Sequence, residues 1–393
     1  MVLNPGATLG VLLGVSGSAV SLTGSSVRLT NNGQIDPLLF GSNTTKLSTG
    51  VVMGNTAPST IVAVNNGTIG GTRQSSVDLA GLALTVRNGA NGITTITNTG
   101  TITTGAILGA TLAAADAAAV AAYGGGQINM VNTAAGTITG RIAFESPTSG
   151  GNTFTNAGTI NGSVSLGTGE RDDTFFAVTG SSITGGSAPA IAVATPSGGS
   201  LNFAAGGTVD AGVGGTDLLV LRNIVGGPGS GNAGSGGIKA AQYLNFENLQ
   251  VDSGTWTLSG PVVSGSTLLY GGVAIFDDAG AFGSGTLTGN GGAIQAAVNG
   301  LTLSQNVSLT GGLFVQGANS FTLGGTVSGA AGIIKNGAGT LTLNGINNFS
   351  GGFALNGGGV TLGNASALGS GLFLVGGNVD LYTTFTGTLN NQV

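Results

Sequence analysis

Cysteine and histidine are both absent from this chain of 393 residues, and each absence removes a class of chemistry. Disulfides, zinc sites built on thiolate or imidazole, and Cys-His or Ser-His-Asp catalysis all lack their obligatory residues. Charge is nearly as scarce, since 9 basic and 14 acidic residues make up 6 % of the chain and leave a net charge of -5. So few scattered cations cannot form the clustered positive surface that collects phosphates, which excludes nucleic acid as a partner. Prolines number 8, and the 79 glycines keep no third-residue period, so the chain is not collagen-like. With 40 % apolar residues and a small net charge, it is equally far from the signature of disorder.

Long apolar runs are missing as well. The longest, residues 106–123, is mostly alanine and contains Asp116, which argues against a membrane span. Its alanines predict a short helix or a loop extruded from the fold. The first residues carry no basic group ahead of their apolar stretch and read as strands rather than as a signal peptide.

What is present is repetition. Short Val/Ile/Leu/Thr segments alternate with Asn- and Gly-rich turns along the whole chain. In the first half a turn is followed by threonine and isoleucine, as in NNGTIGG at 65–71, NTGTITTG at 98–105, AAGTITG at 134–140 and NAGTING at 156–162. The isoleucines Ile69, Ile102, Ile138 and Ile160 lie 33, 36 and 22 residues apart. The second half reads GTWTLSG at 254–260, FTLGG at 321–325 and GTLTLNG at 339–345. Period-two alternation there sends Trp256, Leu258, Leu341 and Leu343 inward, and Thr255, Thr257, Thr340 and Thr342 outward. Near-identical strand-turn strings repeated over most of the length fit rungs stacked on one another, each burying its apolar face on its neighbours. The expected fold is therefore all-β, a parallel β-helix (β-solenoid) with extruded loops. The expected organisation is an N-terminal solenoid part over 1–224, a Gly/Ser-rich loop or linker over 225–237, and a C-terminal solenoid part over 238–393.

Candidate chemistry is sparse. A glycosidase needs two carboxylates flanking the bond it cleaves, and the available acids are Glu170, Asp172 and Asp173 in GERDDTF and Asp277 with Asp278 in IFDDAG. These read more simply as turn and corner acids, and no aromatic cluster lies beside them to hold a sugar. No catalytic residue and no cofactor is assigned. Calcium suits such oxygen ligands, and Asp172 and Asp173 are the candidate ligands, although the regular GGxGxD spacing of calcium-binding β-rolls is absent. Outward threonine rows such as Thr255/Thr257 and Thr340/Thr342 would bind ordered water, glycans or ice only in a regular register, which an irregular repeat does not establish.

The segment 332–371 resembles the autotransporter-associated β-strand repeat found in bacterial type V secreted passenger domains. The match rests on Lys335, Gly337, Gly339, the run Thr340-Leu341-Thr342-Leu343, Asn348, Ser350-Gly351-Gly352 and the run Gly359-Val360-Thr361-Leu362-Gly363. LNFENLQVDSGTWTLSG at 244–260 is similar to a passenger strand pair, and the Thr-Ile strings of the first half are similar but less distinctive. The resemblance implies a β-helical stalk at the cell surface or outside the cell, exported across an outer membrane with the help of a membrane barrel in a longer precursor.

The function expected from these readings is non-catalytic: an adhesin or structural scaffold acting through multivalent or homotypic contacts along the β-helix. Expected partners are copies of itself, or proteins and glycans of a host or neighbouring cell surface. The alternatives are a β-helix that binds or degrades polysaccharide, and a passive stalk whose functional region lies elsewhere.

Overall fold

The computed structural model describes residues 1–9, 17–37, 47–73, 75–105, 111–223, 233–389 and 391–392. The chain forms two compact units, Met1–Asp217 and Leu218–Val393. Both are all-β, and their strands stack in parallel as the repeat predicts.

Each complete rung of the first unit contributes one strand to each of three sheets. One sheet stacks Ser26–Asn31, Thr60–Asn65, Ile93–Asn98, Gln127–Asn132, Thr153–Asn156 and Thr174–Val178. The second is built from short strands, among them Thr68–Gly70, Thr101–Thr103, Thr137–Thr139, Thr159–Asn161 and Ser182–Thr184. The third includes Thr49–Gly54, Leu84–Arg87, Ala118–Tyr123 and Arg141–Phe144. Ile35, Ile69, Ile102, Ile138, Ile160 and Ile183 stand directly above one another on the second sheet, all buried. This is the ladder foreseen from the Thr-Ile strings. Phe144, Phe154 and Phe175 add an aromatic column, with ring centroids 6.1 and 5.6 Å apart.

The turn from the first sheet to the second is fixed by an internal asparagine ladder. Asn31, Asn65, Asn98, Asn132 and Asn156 are buried, and each Nδ2 donates to the next Oδ1 at 2.8, 2.8, 2.9 and 3.0 Å. The second proton of each Nδ2 goes to a main-chain carbonyl of the following strand, at 3.0 Å for Thr68 and Thr101. Glycines stack beside this column because the chains approach too closely for a side chain. A Cβ on Gly67 would lie 2.0 Å from the Gly33 carbonyl oxygen.

The second unit keeps a tighter repeat. Asn336 and Asn356, paired through their side chains, are 20 residues apart, against 34 for Asn31 and Asn65. Ile333–Lys335 and Phe353–Leu355 belong to an eight-stranded sheet, and Thr340–Leu343 and Gly359–Leu362 to a five-stranded one. The segment 332–371 therefore folds as alternating strands of two sheets. Leu303, Leu323, Leu343 and Leu362 form a buried column, with Thr342 half-buried on the outer side. Trp256 and Leu258 are buried, as alternation requires, and Trp256 Nε1 donates to the Ser253 carbonyl at 2.9 Å.

Residues 106–123 correct the sequence expectation. Residues 106–110 lie outside the described residues, but Ala118–Tyr123 is a strand, not a helix or an extruded loop, and is buried on both faces. Its outer face is covered by an antiparallel hairpin, Ile191–Ala194 with Ser200–Phe203. Leu201 and Phe203 pack against Ala118, Ala121, Tyr123 and Leu82. Burial between two layers overrides the helical preference of alanine, and small side chains let the layers meet. Of the Gly/Ser-rich stretch at 225–237, residues 225–232 lie outside the described residues, and 235–237 belong to the strand Ser235–Lys239.

Candidate functional site

Four of the five acids singled out in the sequence accept hydrogen bonds from the backbone. Asp172 Oδ1 accepts from Thr216 N at 2.8 Å, and Asp173 Oδ1 accepts from Asn152 N at 2.5 Å. Asp173 N itself donates to Asp217 Oδ1 at 2.7 Å, so the three carboxylates tie neighbouring rungs together. Asp173 is buried, and burial pushes its carboxyl up to about 8. The hydrogen bond from Asn152 N opposes that shift, while the charges of Asp217 and Asp172 add to it. Glu170 is exposed. Asp277 accepts from Gly260 N at 2.9 Å, and Asp278 from Gly280 N at 2.7 Å. Among the described residues no three Asp or Glu side chains converge in the way a metal site requires.

Two cations that the sequence does not mark as internal are buried. Arg141 is fully buried, with Nη2 3.5 Å from Asp116 Oδ1. Its Nη1 donates to the carbonyls of Pro189 at 2.8 Å and Ala204 at 3.3 Å. Asp116 Oδ1 also accepts from Ser187 N and Ala188 N at 2.9 and 3.0 Å, so the pair grips both ends of the segment that carries the hairpin. Desolvation lowers the Arg141 pKa, and Asp116 opposes the shift. Lys335 points inward in a column with Val315 and Leu355, where Nζ donates to the Gly337 carbonyl and, at 3.1 Å, to that of Gly357. Burial pushes its ammonium down to about 8. Lys335 was visible only as a motif letter, and nothing local marked Arg141 as internal.

The outward faces hold the most regular chemistry. On the second sheet of the first unit, Thr68, Thr101, Thr137 and Thr159 stack in one row. A parallel row, two residues along each strand, runs Thr103, Thr139, Asn161 and Thr184. In the second unit Thr302, Thr322, Thr342 and Thr361 make a single row. Thr255 and Thr257 do not extend into rows, because their neighbours are Ser235 and Gly237 below and Val273 and Ile275 above. The eight-stranded sheet of the second unit instead turns an apolar row outward, Phe314, Ile334, Ala354 and Leu374. Its last members line a shallow groove of about 340 Å³ together with Leu372.

No family model, curated protein or solved structure matches this chain.

Proposed function

We propose that the chain is a cell-surface passenger of the autotransporter type, serving as a non-catalytic adhesive scaffold. The carrying observation is the set of in-register outward rows free of charged side chains, Thr68 to Thr159 in one unit and Thr302 to Thr361 in the other. Such rows offer the same weak hydroxyl contact many times at fixed spacing, and repetition turns weak contacts into avidity. The scarcity of charge supports homotypic contact, since like-charge repulsion is what ordinarily keeps copies apart. The apolar row ending at Leu374 supplies a second uncharged surface. The resemblance of 332–371 to passenger repeats supports export across an outer membrane. Among the described residues no helix is long and apolar enough to cross a membrane.

The test is aggregation of beads coated with the purified chain. Coated beads are expected to cluster, to keep clustering as salt is raised because ion pairs are not the adhesive, and to disperse when soluble chain competes. Beads that stay dispersed, with no retention of the chain on cells or glycan arrays, would overturn the reading.

A further inference from the structure

Ten asparagines of this chain are followed directly by glycine. At such a pair the asparagine side chain and the next main-chain nitrogen can close a five-membered ring, because glycine has no Cβ to obstruct the approach. The nitrogen must first be free. In nine of the ten pairs it is held, because the glycine N–H donates within the fold. Gly162 donates to the Thr184 carbonyl at 2.7 Å, Gly291 to that of Gly312 at 2.7 Å and Gly300 to that of Ser320 at 2.8 Å. Gly345 is the exception: its N–H makes no hydrogen bond among the described residues. It is buried at the corner after Thr340–Leu343, where an unpaired donor costs free energy. Its neighbour Asn344 is exposed, and the Asn344 side-chain amide makes no hydrogen bond among the described residues either. By contrast, Asn91 accepts from Ser149 Oγ, Asn299 accepts from Ser320 N, and Asn356 donates to Asn336.

We propose that Asn344-Gly345 is a modification site, the pair at which the folded chain deamidates itself, with water as the only co-reactant. The Gly345 nitrogen gives its proton to water or hydroxide and attacks Cγ of Asn344. The N–Cγ bond forms, the Cγ–Nδ2 bond breaks, and Nδ2 leaves as ammonia. The resulting succinimide nitrogen carries no hydrogen, so ring closure also removes the unpaired donor. Water then adds to one of the two ring carbonyls and opens the ring. The product is aspartate, or isoaspartate in which the main chain runs through Cγ. One water is consumed, one ammonia is released, and nothing is oxidised or reduced. The other nine pairs are protected by the hydrogen bond that their glycine N–H would have to give up. Isoaspartate lengthens the main chain by one carbon at a corner that the next rung grips. Asn364 Nδ2 donates there to the carbonyls of Asn344 and Gly345 at 3.0 and 2.9 Å. The modification needs no partner and stands apart from the adhesive role.

The experiment holds the full chain at pH 8 in water enriched in heavy oxygen, one sample folded and one unfolded in urea. Peptide mass spectrometry at successive times follows each Asn-Gly pair for the exchange of an amide –NH2 for –OH and the uptake of heavy oxygen. In the folded chain Asn344 is expected to convert first, about two- to tenfold faster than any other pair, the factor that one net hydrogen bond corresponds to. In urea the ten pairs lose their structural differences and should convert at similar rates. Asn344→Gln, which can close only a slower six-membered ring, should abolish the folded-state signal at this position and leave the other nine unchanged. Asn91→Gln should leave conversion of Asn344 unchanged. A folded chain in which another Asn-Gly pair converts as fast as Asn344 would overturn the proposal. So would a folded chain that keeps Asn344 intact while the unfolded sample converts it, because the free N–H would then confer no reactivity.

Discussion

Asn98 stands between two copies of itself: its Oδ1 accepts from Asn65 Nδ2 at 2.8 Å, and its Nδ2 donates to Asn132 Oδ1 at 2.9 Å. All three are buried, so every amide depends on its neighbours for partners. Asn98→Ala would strand the Nδ2 of Asn65 and the Oδ1 of Asn132 at once. Each buried group left unpaired costs about 1–3 kcal/mol, which is expected as a lower denaturation midpoint of the first unit. Hydrogen exchange should quicken first at the main-chain amides of Thr101–Thr103, beside the broken column. A midpoint equal to that of the unaltered protein would show that the ladder contributes order but no stability.

Arg141 and Asp116 tether the hairpin that covers Ala118–Tyr123. Arg141→Met removes the bonds to Pro189 and Ala204 and leaves Asp116 buried without its counter-charge. Breaking one side of a buried pair costs about 3–5 kcal/mol. The loss should appear locally, as new protease cleavage within 187–206 before the rest of the unit is cut. Asp116→Asn keeps an acceptor for Ser187 and Ala188 and is expected to be milder. Equal resistance of Arg141→Met and the unaltered chain would remove the tether from the account.

Asp173 gives the first unit an unusual pH dependence. Its carboxyl titrates at about 8 in the folded chain against 3.8 as the ordinary value, chiefly through burial. Between those values the folded state holds a proton that the unfolded state has released. Stability from this group is therefore full below about pH 4, falls as pH rises, and is lost by the time pH passes 8, with a slope of up to about 1.4 kcal/mol per pH unit. Urea denaturation of the first unit at pH 5 and pH 9 should show the higher midpoint at pH 5. Asp173→Asn, uncharged at every pH yet still able to accept from Asn152 N, should flatten that difference. A difference that persists in Asp173→Asn would assign the effect to other acids.

Local patterns in the sequence foretold the parallel stacking, the isoleucine ladder and the inward Trp256, because period-two alternation and turn residues act within one rung. What depended on distant partners was hidden. Ala118–Tyr123 looked helical because its outer cover, Leu201 and Phe203, arrives some eighty residues later. Asn98 and its relatives were legible as turn formers, but their mutual bonding is set by register between rungs. Register also decided the threonines: Thr342 proved part of a single row and Thr255 of none, while the paired rows arose from Thr-Ile-Thr strings noted only for their isoleucines. Asp172 and Asp173 were noticed as acids, yet only the fold shows them accepting from main-chain amides.

Lys335 should give the second unit the opposite pH response. Its ammonium, buried between Val315 and Leu355, titrates at about 8 in the folded chain instead of 10.5. Below pH 8 the lysine is charged in both states, and its desolvation cost is constant. Between 8 and 10.5 the unfolded chain binds the proton that the folded chain has released, so stability rises with pH, by at most about 1.4 kcal/mol per unit. Trp256, buried in the same unit, supplies the fluorescence signal for urea denaturation across that range. Lys335→Met should be flat there, and at pH 7 it should lose less than an unpaired buried charge would suggest, because the methionine removes the desolvation cost together with the bonds to Gly337 and Gly357. If Lys335→Met still gains stability from pH 8 to 10.5, the buried ammonium is not the source of the rise.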